Sequence, residues 1–313
     1  MPICFLSSPS AIIIDMILVT GATGFVGSHL LPQLHRKGFP IRILLPPEEN
    51  AATIPKNIPV EVAICGLSDE HNLKAALKSV TTVIHLATDE NRGLKADLQN
   101  VDIDGTDSLL SVAAQTGVKQ FIFISYLGAS AASAYPLLRA KGKVEQLIIN
   151  SSIKHTILRT GPVFGQNDHF VKKIKRYQRT LPFVAFLPDK GKAVLHPLWV
   201  EDLVTAVLRS IDNPLTQDKT IEIGGPEFFS LHELFSLIRP GKGFFHSQLY
   251  LPSSTLRLML LFWQVIVKNT PITSFDLDTV AADRTAPIDT ISKLFSILPL
   301  SLRDYLTGNE QNT

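Results

Sequence analysis

The sequence predicts an α/β protein with a doubly wound parallel sheet and a small C-terminal cap. Two observations support this prediction: short β-rich runs recur through the first half, and longer segments with helical spacing separate most of them. Such alternation is typical of a parallel sheet that helices cover on both faces. The β-rich runs cover residues 16–19, 41–45, 60–64, 82–86, 121–124 and 156–158.

Composition limits the classes of protein that this chain can represent. Its 313 residues are 45% hydrophobic, enough for a sizeable core in one large domain or two unequal lobes. Thirty basic residues against 28 acidic ones give a net charge of +2, too even to indicate a nucleic-acid partner. Cys4 and Cys65 match no CxxC or metal-ligand spacing, and no zinc, P-loop or nucleophile-elbow motif occurs. The sequence therefore predicts no metal site and a reducing, cytoplasmic location.

Three stretches bear on targeting and on contact with membranes. Residues 1–15 have no basic region before their apolar patch and no small-residue cleavage site, so we predict a disordered extension or a misassigned start. Residues 256–267, LRLMLLFWQVIV, have about half of the roughly 20 residues that a membrane-spanning helix needs. We expect a buried helix there. The alternative to a buried helix is that residues 256–267, together with the basic run at 171–179, contact a membrane surface or a protein complex.

Residues 17–30, ILVTGATGFVGSHL, contain the most informative motif. Gly21, Gly24 and Gly27 follow a predicted strand and open a predicted helix. The first glycine permits a tight turn, the second lets the backbone approach a pyrophosphate, and the third lets the helix pack closely on the strand. The free N–H groups and the dipole of the helix start favour phosphate. The motif therefore predicts a nucleotide-binding site.

The same stretch resembles the cofactor loop of the extended and atypical short-chain dehydrogenase/reductase family, which includes NAD-dependent epimerases and dehydratases. Later segments agree in order and spacing, among them VIHLAT at 83–88, TILRTGPVFG at 156–165 and HPLWVEDL at 196–203. Within this family, the chain resembles the proteins related to the dehydrogenase-like accessory subunit of respiratory complex I. The resemblance implies a Rossmann-type fold and nicotinamide dinucleotide contacts from Gly21, Thr23, Gly24, Phe25, Val26, Gly27, Leu86 and Ala87.

The resemblance and the strand pattern together suggest how the chain is divided. We expect residues 16–165 to form the NAD(P)-binding Rossmann domain, with 195–226 returning to it. After residue 165 the alternation breaks, and proline and glycine become frequent. Residues 166–194 and 227–313 are therefore predicted to form the cap, which would enclose a small-molecule substrate that the sequence does not identify.

The choice between NAD and NADP rests on the end of the second predicted strand. An NAD site places an acidic residue about 20 positions beyond the glycines, to hold the ribose hydroxyls. Here IRILLPPEEN has prolines in that place, and Glu48 and Glu49 follow slightly late, as expected of a solvated turn. Arg42 lies within the strand and offers positive charge for a 2′-phosphate. These residues favour NADP slightly.

The catalytic residues implied by the resemblance are incomplete. The family uses a tyrosine, a lysine four residues later on the same helix face, and a hydroxyl from the fifth strand. Lys141 fits the lysine, which in the family also holds the nicotinamide ribose, so the resemblance implies a cofactor contact from Lys141 as well. However, Leu137 stands four residues before it, and Tyr135 stands six before it, beside Pro136. On the strand side, Ser125 is followed by Tyr126 where relatives have their hydroxyl. Tyr135, Lys141, Ser125 and Tyr126 are therefore all catalytic candidates.

Three functions remain open on this sequence. The incomplete Tyr-x-x-x-Lys pattern favours a cofactor-binding protein with a structural or redox-sensing role. The retained lysine and the predicted cap favour an active reductase or epimerase that acts on a carbonyl or sugar-nucleotide-like substrate. A membrane-surface or assembly factor is supported by the apolar run at 256–267 and the basic run at 171–179.

Overall fold

The computed structural model describes residues 15–49, 57–181, 183–239, 247–266 and 272–310. The predicted N-terminal extension, except residue 15, therefore lies outside the described residues, and so do Cys4 and the last residue of the apolar run, Val267.

The strands alternate with helices along the first 165 residues. In chain order they are β1 (Met16–Thr20), β2 (Ile41–Leu45), β3 (Glu61–Ile64), β4 (Val80–His85), β5 (Gln120–Tyr126), β6 (Lys154–Thr160), β7 (Val163–Phe164), β8 (Val184–Pro188), β9 (Val194–Leu195), β10 (Leu198–Trp199), β11 (Lys219–Ile223), β12 (Phe229–Ser230) and β13 (Ser247–Leu251).

The helices fall between and after these strands. They are α1 (Phe25–Arg36), α2 (Glu70–Ala76), α3 (Gly105–Thr116), α4 (Pro136–Asn150), α5 (Phe170–Thr180), α6 (Val200–Ser210), α7 (Leu231–Leu237), α8 (Ser253–Ile266), α9 (Ser274–Val280), α10 (Thr290–Phe295) and α11 (Leu302–Glu310). A 3-10 segment, Glu90–Lys95, and a π-helical segment, Leu98–Asp104, connect β4 to α3.

The central sheet confirms the predicted Rossmann-type architecture. Within the described residues it has seven strands in the order β3-β2-β1-β4-β5-β6-β11, and every neighbouring pair is parallel. The strand order reverses between β1 and β4, which is the switch point where doubly wound sheets bind ligands at the carboxyl ends of their strands. The fold therefore places a crevice beside Thr20 and His85.

Two apolar layers cover the faces of this sheet. On one face, side chains of β1, α1 and α6 form a buried cluster; on the other, side chains of β5, α2, α3 and α4 do so. Ile291 and Phe295 of α10 belong to the first cluster. This differs from the expectation that all of 227–313 forms the cap, because these two apolar side chains bury their surface against the sheet domain.

The helices α5, α7, α8 and α9, hereafter the cap helices, lie over the crevice. Val171, Tyr177 and Leu234 of α5 and α7 share an apolar cluster with β8, while Leu256, Leu260 and Leu277 join α8 to α9. The opposite face of α8 is apolar as well, but it is exposed to solvent: Phe262 is 70% exposed and Val265 is 76% exposed. In the part of the chain that the structure describes, no helix has the length and apolarity needed to cross a membrane.

Candidate functional site

The floor of the crevice is the junction between the ends of β1 and β4. Gly21 follows β1 with a positive φ of 64°, and a Cβ there would lie 2.7 Å from the backbone nitrogen of Ala87. Thr20 Oγ1 accepts hydrogen bonds from the N–H groups of Leu86 and Ala87, each at 3.2 Å. Only glycine fits such a close approach with this backbone conformation. The junction therefore fixes the glycine loop against the segment after β4.

The start of α1 faces this junction and is suited to an anion. Gly24 is exposed and precedes the helix, whose first turn contains no acidic residue, and no side chain of the described residues caps it. Three residues later, a Cβ on Gly27 would lie 2.4 Å from the carbonyl oxygen of Ala22, so the helix packs directly on the loop. Uncapped N–H groups and the helix dipole attract phosphate.

A cavity of about 330 Å³ extends from the glycine loop to the cap helices. Of the residues singled out from the sequence, it brings together Gly21, Gly24, Phe25, Val26, Gly27, Leu86, Ala87, Ser125, Tyr126 and Lys141. Thr23, Arg42 and Tyr135 do not line it.

Arg42 makes structural contacts away from the crevice. Its Nη1 donates to the carbonyl oxygens of Ala76 and Lys78, both at 2.7 Å, at the end of α2, and its Nε donates to Glu61 at 2.8 Å. The guanidinium is therefore held by these groups and is not directed to a nucleotide in the cavity.

The turn after β2 places a carboxylate beside the glycine loop. Glu49 Oε2 accepts a hydrogen bond of 2.7 Å from Thr23 Oγ1. The sequence predicts a solvated turn at this point, and Glu49 is exposed in the structure. The backbone turn formed by 46–49 brings the side chain back toward the loop, which the residue count alone does not indicate.

Lys141 lies at the cavity wall and is paired. Its Nζ donates to Asp102 Oδ1 at 3.1 Å, and the two residues are 4% and 2% exposed. Asp102 also accepts from Thr88 Oγ1 at 2.8 Å and from the N–H of Asp89 at 3.0 Å. The Asp102 carboxylate is close enough to balance much of the positive charge of the Lys141 ammonium within the protein.

Sequence reasoning missed Asp102, although a signal for it exists. Asp102, Thr106, Leu109 and Ala113 recur with helical spacing and are all buried. A carboxylate on the buried stripe of a predicted helix requires a buried partner, because burying an unpaired charge is costly.

A buried polar chain connects the floor of the crevice to this ion pair. Thr20 Oγ1 accepts from two backbone N–H groups, so its own hydrogen is donated to His85 Nδ1 at 2.7 Å. His85 Nε2 then donates to Thr106 Oγ1 at 3.0 Å, and Thr106 donates to the carbonyl oxygen of Asp102. Burial, and next the charge of Lys141, lower the pKa of His85 to about 3. The imidazole is therefore neutral, and its role in the chain is structural.

Tyr126 lines the cavity as a hydrogen-bond donor. Its hydroxyl donates to Glu90 Oε1 at 2.6 Å. Burial first, and then the negative charge of Glu90, raise the pKa of Tyr126 well above its usual value. Beside it, Ser125 Oγ is buried and has no hydrogen-bond partner among the described residues.

Tyr135 and Leu137 differ in their relation to the cavity. Tyr135 stands just before α4 in extended conformation, and the guanidinium of Arg284 lies 5.8 Å from its ring centroid. Leu137, in the first turn of α4, is 2% exposed and lines the cavity.

A protein-family profile described as NAD(P)H-binding matches residues 21–182, which is just over half of the chain. The chain belongs to this NAD(P)H-binding family. The match spans the glycine loop, the β4 junction, Tyr126 and Lys141.

Curated proteins similar to this NAD(P)H-binding protein include a complex I subunit and a photosystem II assembly factor. The mitochondrial NADH dehydrogenase [ubiquinone] 1 alpha subcomplex subunit 9 of Arabidopsis thaliana is 27% identical over 229 residues, which are 70% of this chain and 56% of the relative. The photosystem II assembly factor Ycf39 of Trieres chinensis is 25% identical over 224 residues, which are 71% of this chain and 67% of the relative. The chain thus spans little more than half the length of the plant complex I relative.

Solved structures of low sequence identity share the fold of this NAD(P)H-binding protein. A nucleoside-diphosphate-sugar epimerase from Staphylococcus aureus has a TM-score of 0.73 and 20% identity, with 93% of this chain and 99% of that one covered. An NADPH-dependent quinone oxidoreductase from Escherichia coli, complexed with NADPH, has a TM-score of 0.71 and 19% identity, with 94% and 100% covered.

Proposed function

We propose that this chain holds a nicotinamide dinucleotide in a structural or redox-sensing role, with little or no turnover by the tyrosine-dependent reaction of its family. The exposed Gly24, the uncapped start of α1 and the glycine-tight junction at Gly21 supply a backbone cradle for a pyrophosphate. Lys141, at the wall of the same cavity, would face the ribose and nicotinamide portion.

The state of Tyr126 is the observation that carries this proposal. A tyrosine that exchanges a proton with a substrate needs a pKa brought toward the working pH. Here the hydroxyl donates to Glu90, and both burial and that carboxylate raise the pKa of Tyr126. A carboxylate partner also replaces the substrate oxygen as acceptor. Tyr126 is therefore a poor proton donor, and its phenolate form is too rarely populated to act as a base.

The neighbouring residues support the same conclusion. Tyr135 does not line the cavity, and Leu137 has no exchangeable side-chain proton. Lys141 is neutralised by Asp102 instead of standing free beside a phenol. The relatives named as a complex I subunit and an assembly factor are consistent with a role in a protein complex. The exposed apolar face of α8 is the kind of surface that such a complex would cover.

An active reductase or epimerase is the alternative, and one observation favours it. Ser125 Oγ and Glu90 Oε2 belong to residues that line the cavity, and neither atom has a hydrogen-bond partner in the part of the chain that the structure describes. Both atoms are able to bond a substrate, so the alternative needs a direct kinetic test.

Hydride transfer measured on a panel of aldehydes, ketones and quinones separates the two functions. With NADPH or NADH, we expect the wild type to oxidise the cofactor no faster than the Tyr126→Phe and Tyr135→Phe variants. All three proteins should bind the cofactor with equal affinity by calorimetry. Robust oxidation that disappears in either variant would instead establish a tyrosine-dependent enzyme.

For the cofactor itself we propose a preference for NAD(H) over NADP(H), against the slight preference suggested by the sequence. Arg42 is held by Glu61 and the end of α2, and the Glu49 carboxylate lies beside the glycine loop. A carboxylate there would accept hydrogen bonds from ribose hydroxyls and repel a 2′-phosphate.

Removing this charge tests the preference. Glu49→Gln should shift the ratio of the NADH and NADPH dissociation constants about tenfold toward NADPH, which corresponds to about 1.4 kcal/mol. Glu48→Gln is the matched control and should leave the ratio unchanged. An unchanged ratio in Glu49→Gln would contradict the role given to Glu49.

A further inference from the structure

The cap half of the cavity has a different chemical character from the glycine-loop half. Beyond Tyr126 and Lys141, its walls are apolar side chains of the cap helices and β8, including Phe186, Leu187, Phe235, Leu256, Leu260 and Phe275. Apolar walls of this kind bind ligands by removing apolar surface from water.

The hydroxyl groups of Tyr177, Thr273 and Thr279 in this half already have partners within the protein. The hydroxyl of Tyr177 donates to the carbonyl oxygen of Phe186 at 3.2 Å and accepts from the N–H of Phe186 at 3.0 Å. Thr273 and Thr279 donate to the side chain and the backbone of Asp276, each at 2.8 Å. The hydroxyl groups of a sugar would therefore find few partners here.

Two of the three lysine and arginine side chains that line the cavity are paired with a carboxylate. Lys141 pairs with Asp102 at 3.1 Å, and Lys173 pairs with Asp276 at 2.7 Å. Arg284 forms no ion pair among the described residues; its Nη1 and Nη2 donate to the backbone carbonyl oxygens of Asp283 and Asp278, each at 3.4 Å, and its buried Nε has no hydrogen-bond partner there. A second pyrophosphate, such as that of a sugar nucleotide, needs cations that are not already paired. Within the described residues this half of the cavity offers Arg284 alone, so the charge of a pyrophosphate would be only partly balanced.

Among the described residues, two buried atoms at the boundary between the halves have no hydrogen-bond partner. Ser125 Oγ belongs to a residue that is 2% exposed, and Glu90 Oε2 is the free oxygen of the carboxylate that holds Tyr126. Buried polar atoms are normally satisfied, so an orphaned pair lining a cavity indicates a ligand group. Because Glu90 is negative, a neutral oxygen-bearing group fits better than an anionic one.

We propose that the cap half of the cavity binds a neutral, elongated, mostly apolar molecule, aromatic or prenyl, whose one oxygen-bearing end meets Ser125 Oγ. This inference rests on the proposed function only in placing the cofactor in the glycine-loop half. The oxygen-bearing end then lies at the nicotinamide side, and the apolar body lies among α7, α8 and α9.

Displacement of a fluorescent apolar probe tests the ligand class. N-phenyl-1-naphthylamine should become fluorescent on binding, in the presence of saturating NADH. We expect 1-dodecanol to displace it with an affinity at least about tenfold higher than that of dodecanoate, because Glu90 disfavours a carboxylate. UDP-glucose should not displace it. Displacement by UDP-glucose, or equal affinities for the alcohol and the acid, would overturn the proposal.

Variants in the cavity locate the binding site. Thr279 lines the cap half, and its hydroxyl bonds only a backbone carbonyl of its own helix. Thr279→Phe should therefore fill the space and weaken binding of the probe and the alcohol about tenfold. Thr307 of α11 is exposed, and its hydroxyl likewise bonds its own helix backbone, so Thr307→Phe is the matched control and should bind as wild type. Unaltered binding by a folded Thr279→Phe protein would contradict the assignment.

Two readouts separate this inference from the proposed function. Ser125→Ala should weaken 1-dodecanol binding about threefold to tenfold through loss of one hydrogen bond, with no change for the probe. NADH binding, followed by its own fluorescence, should be equal in the Thr279→Phe and Thr307→Phe proteins. If NADH does not bind but the probe, 1-dodecanol and the variants behave as expected, only the proposed function is contradicted. If NADH displaces the probe, the assignment of the probe to the cap half of the cavity is contradicted.

Discussion

Gly24→Asp is expected to abolish dinucleotide binding while the protein stays folded. A Cβ at Gly24 would meet only the carbonyl oxygen of Gly21, at 3.2 Å, so the fold tolerates a side chain there with a small shift. The added carboxylate would point to the uncapped start of α1, where the pyrophosphate is proposed to lie. Two like charges about 4 Å apart repel by about 4 kcal/mol at an effective dielectric constant near 20, roughly a thousandfold in affinity.

The neutral isostere separates charge from bulk at this position. Gly24→Asn has nearly the same shape and should retain much of the affinity for NADH and NADPH that Gly24→Asp loses. Calorimetric titration with both cofactors gives the comparison, and circular dichroism checks the fold. Equal affinities in wild type and Gly24→Asp would remove the glycine loop from the proposed site.

Asp102→Asn is expected to produce the largest loss of stability among single changes near the cavity. Asp102 and Lys141 are both almost fully buried, and removing one charge leaves the other unpaired in a region of low dielectric constant. Breaking such a pair typically costs about 3–5 kcal/mol. Urea denaturation of the two proteins measures the difference in the free energy of unfolding.

The same segment offers a control, and a double variant tests the pairing. Asp104 lies two residues later and is exposed, so Asp104→Asn should change stability by no more than about 0.5 kcal/mol. Asp102→Asn combined with Lys141→Met should cost less than the sum of the two single changes. Additive effects would mean that the two residues do not stabilise each other.

Lys141→Met should also weaken NADH binding by about 1–3 kcal/mol if Nζ reaches the ribose.

The parts of this protein that local sequence encodes were predicted well. The doubly wound sheet follows from strand and helix periods that are read within a few consecutive residues. The sequence predicts that the glycine motif follows a strand and opens a helix, and in the structure the motif connects β1 to α1, because the glycine spacing and the apolar stripe lie in one continuous segment. Both signals depend on neighbours along the chain, so no long-range contact was needed to read them.

The catalytic candidates show what residue spacing does not predict, namely which side chains line the cavity. Ser125, Tyr126 and Lys141 line one cavity, whereas Tyr135, only six residues from Lys141, does not. Spacing alone could not separate them, because the side chain of Tyr135 is directed by the chain entering α4 and by its contact with Arg284, which is far away in sequence. The cofactor preference that we propose differs from the one that the sequence suggests for a similar reason, since Arg42 contacts the end of α2 and Glu49 contacts Thr23.

By itself, the sequence determined the family, the sheet and the nucleotide loop, because each depends on residue types at short, regular intervals. Only the tertiary structure decided the chemistry at the cavity. The partner of Lys141 lies 39 residues away and that of Tyr126 lies 36 residues away. Much of the apolar wall comes from α7, α8 and α9, which lie 90 or more residues beyond Lys141. Charge, pKa and pocket shape are properties of atoms a few ångströms apart in space, and the order of residues along the chain does not fix those distances.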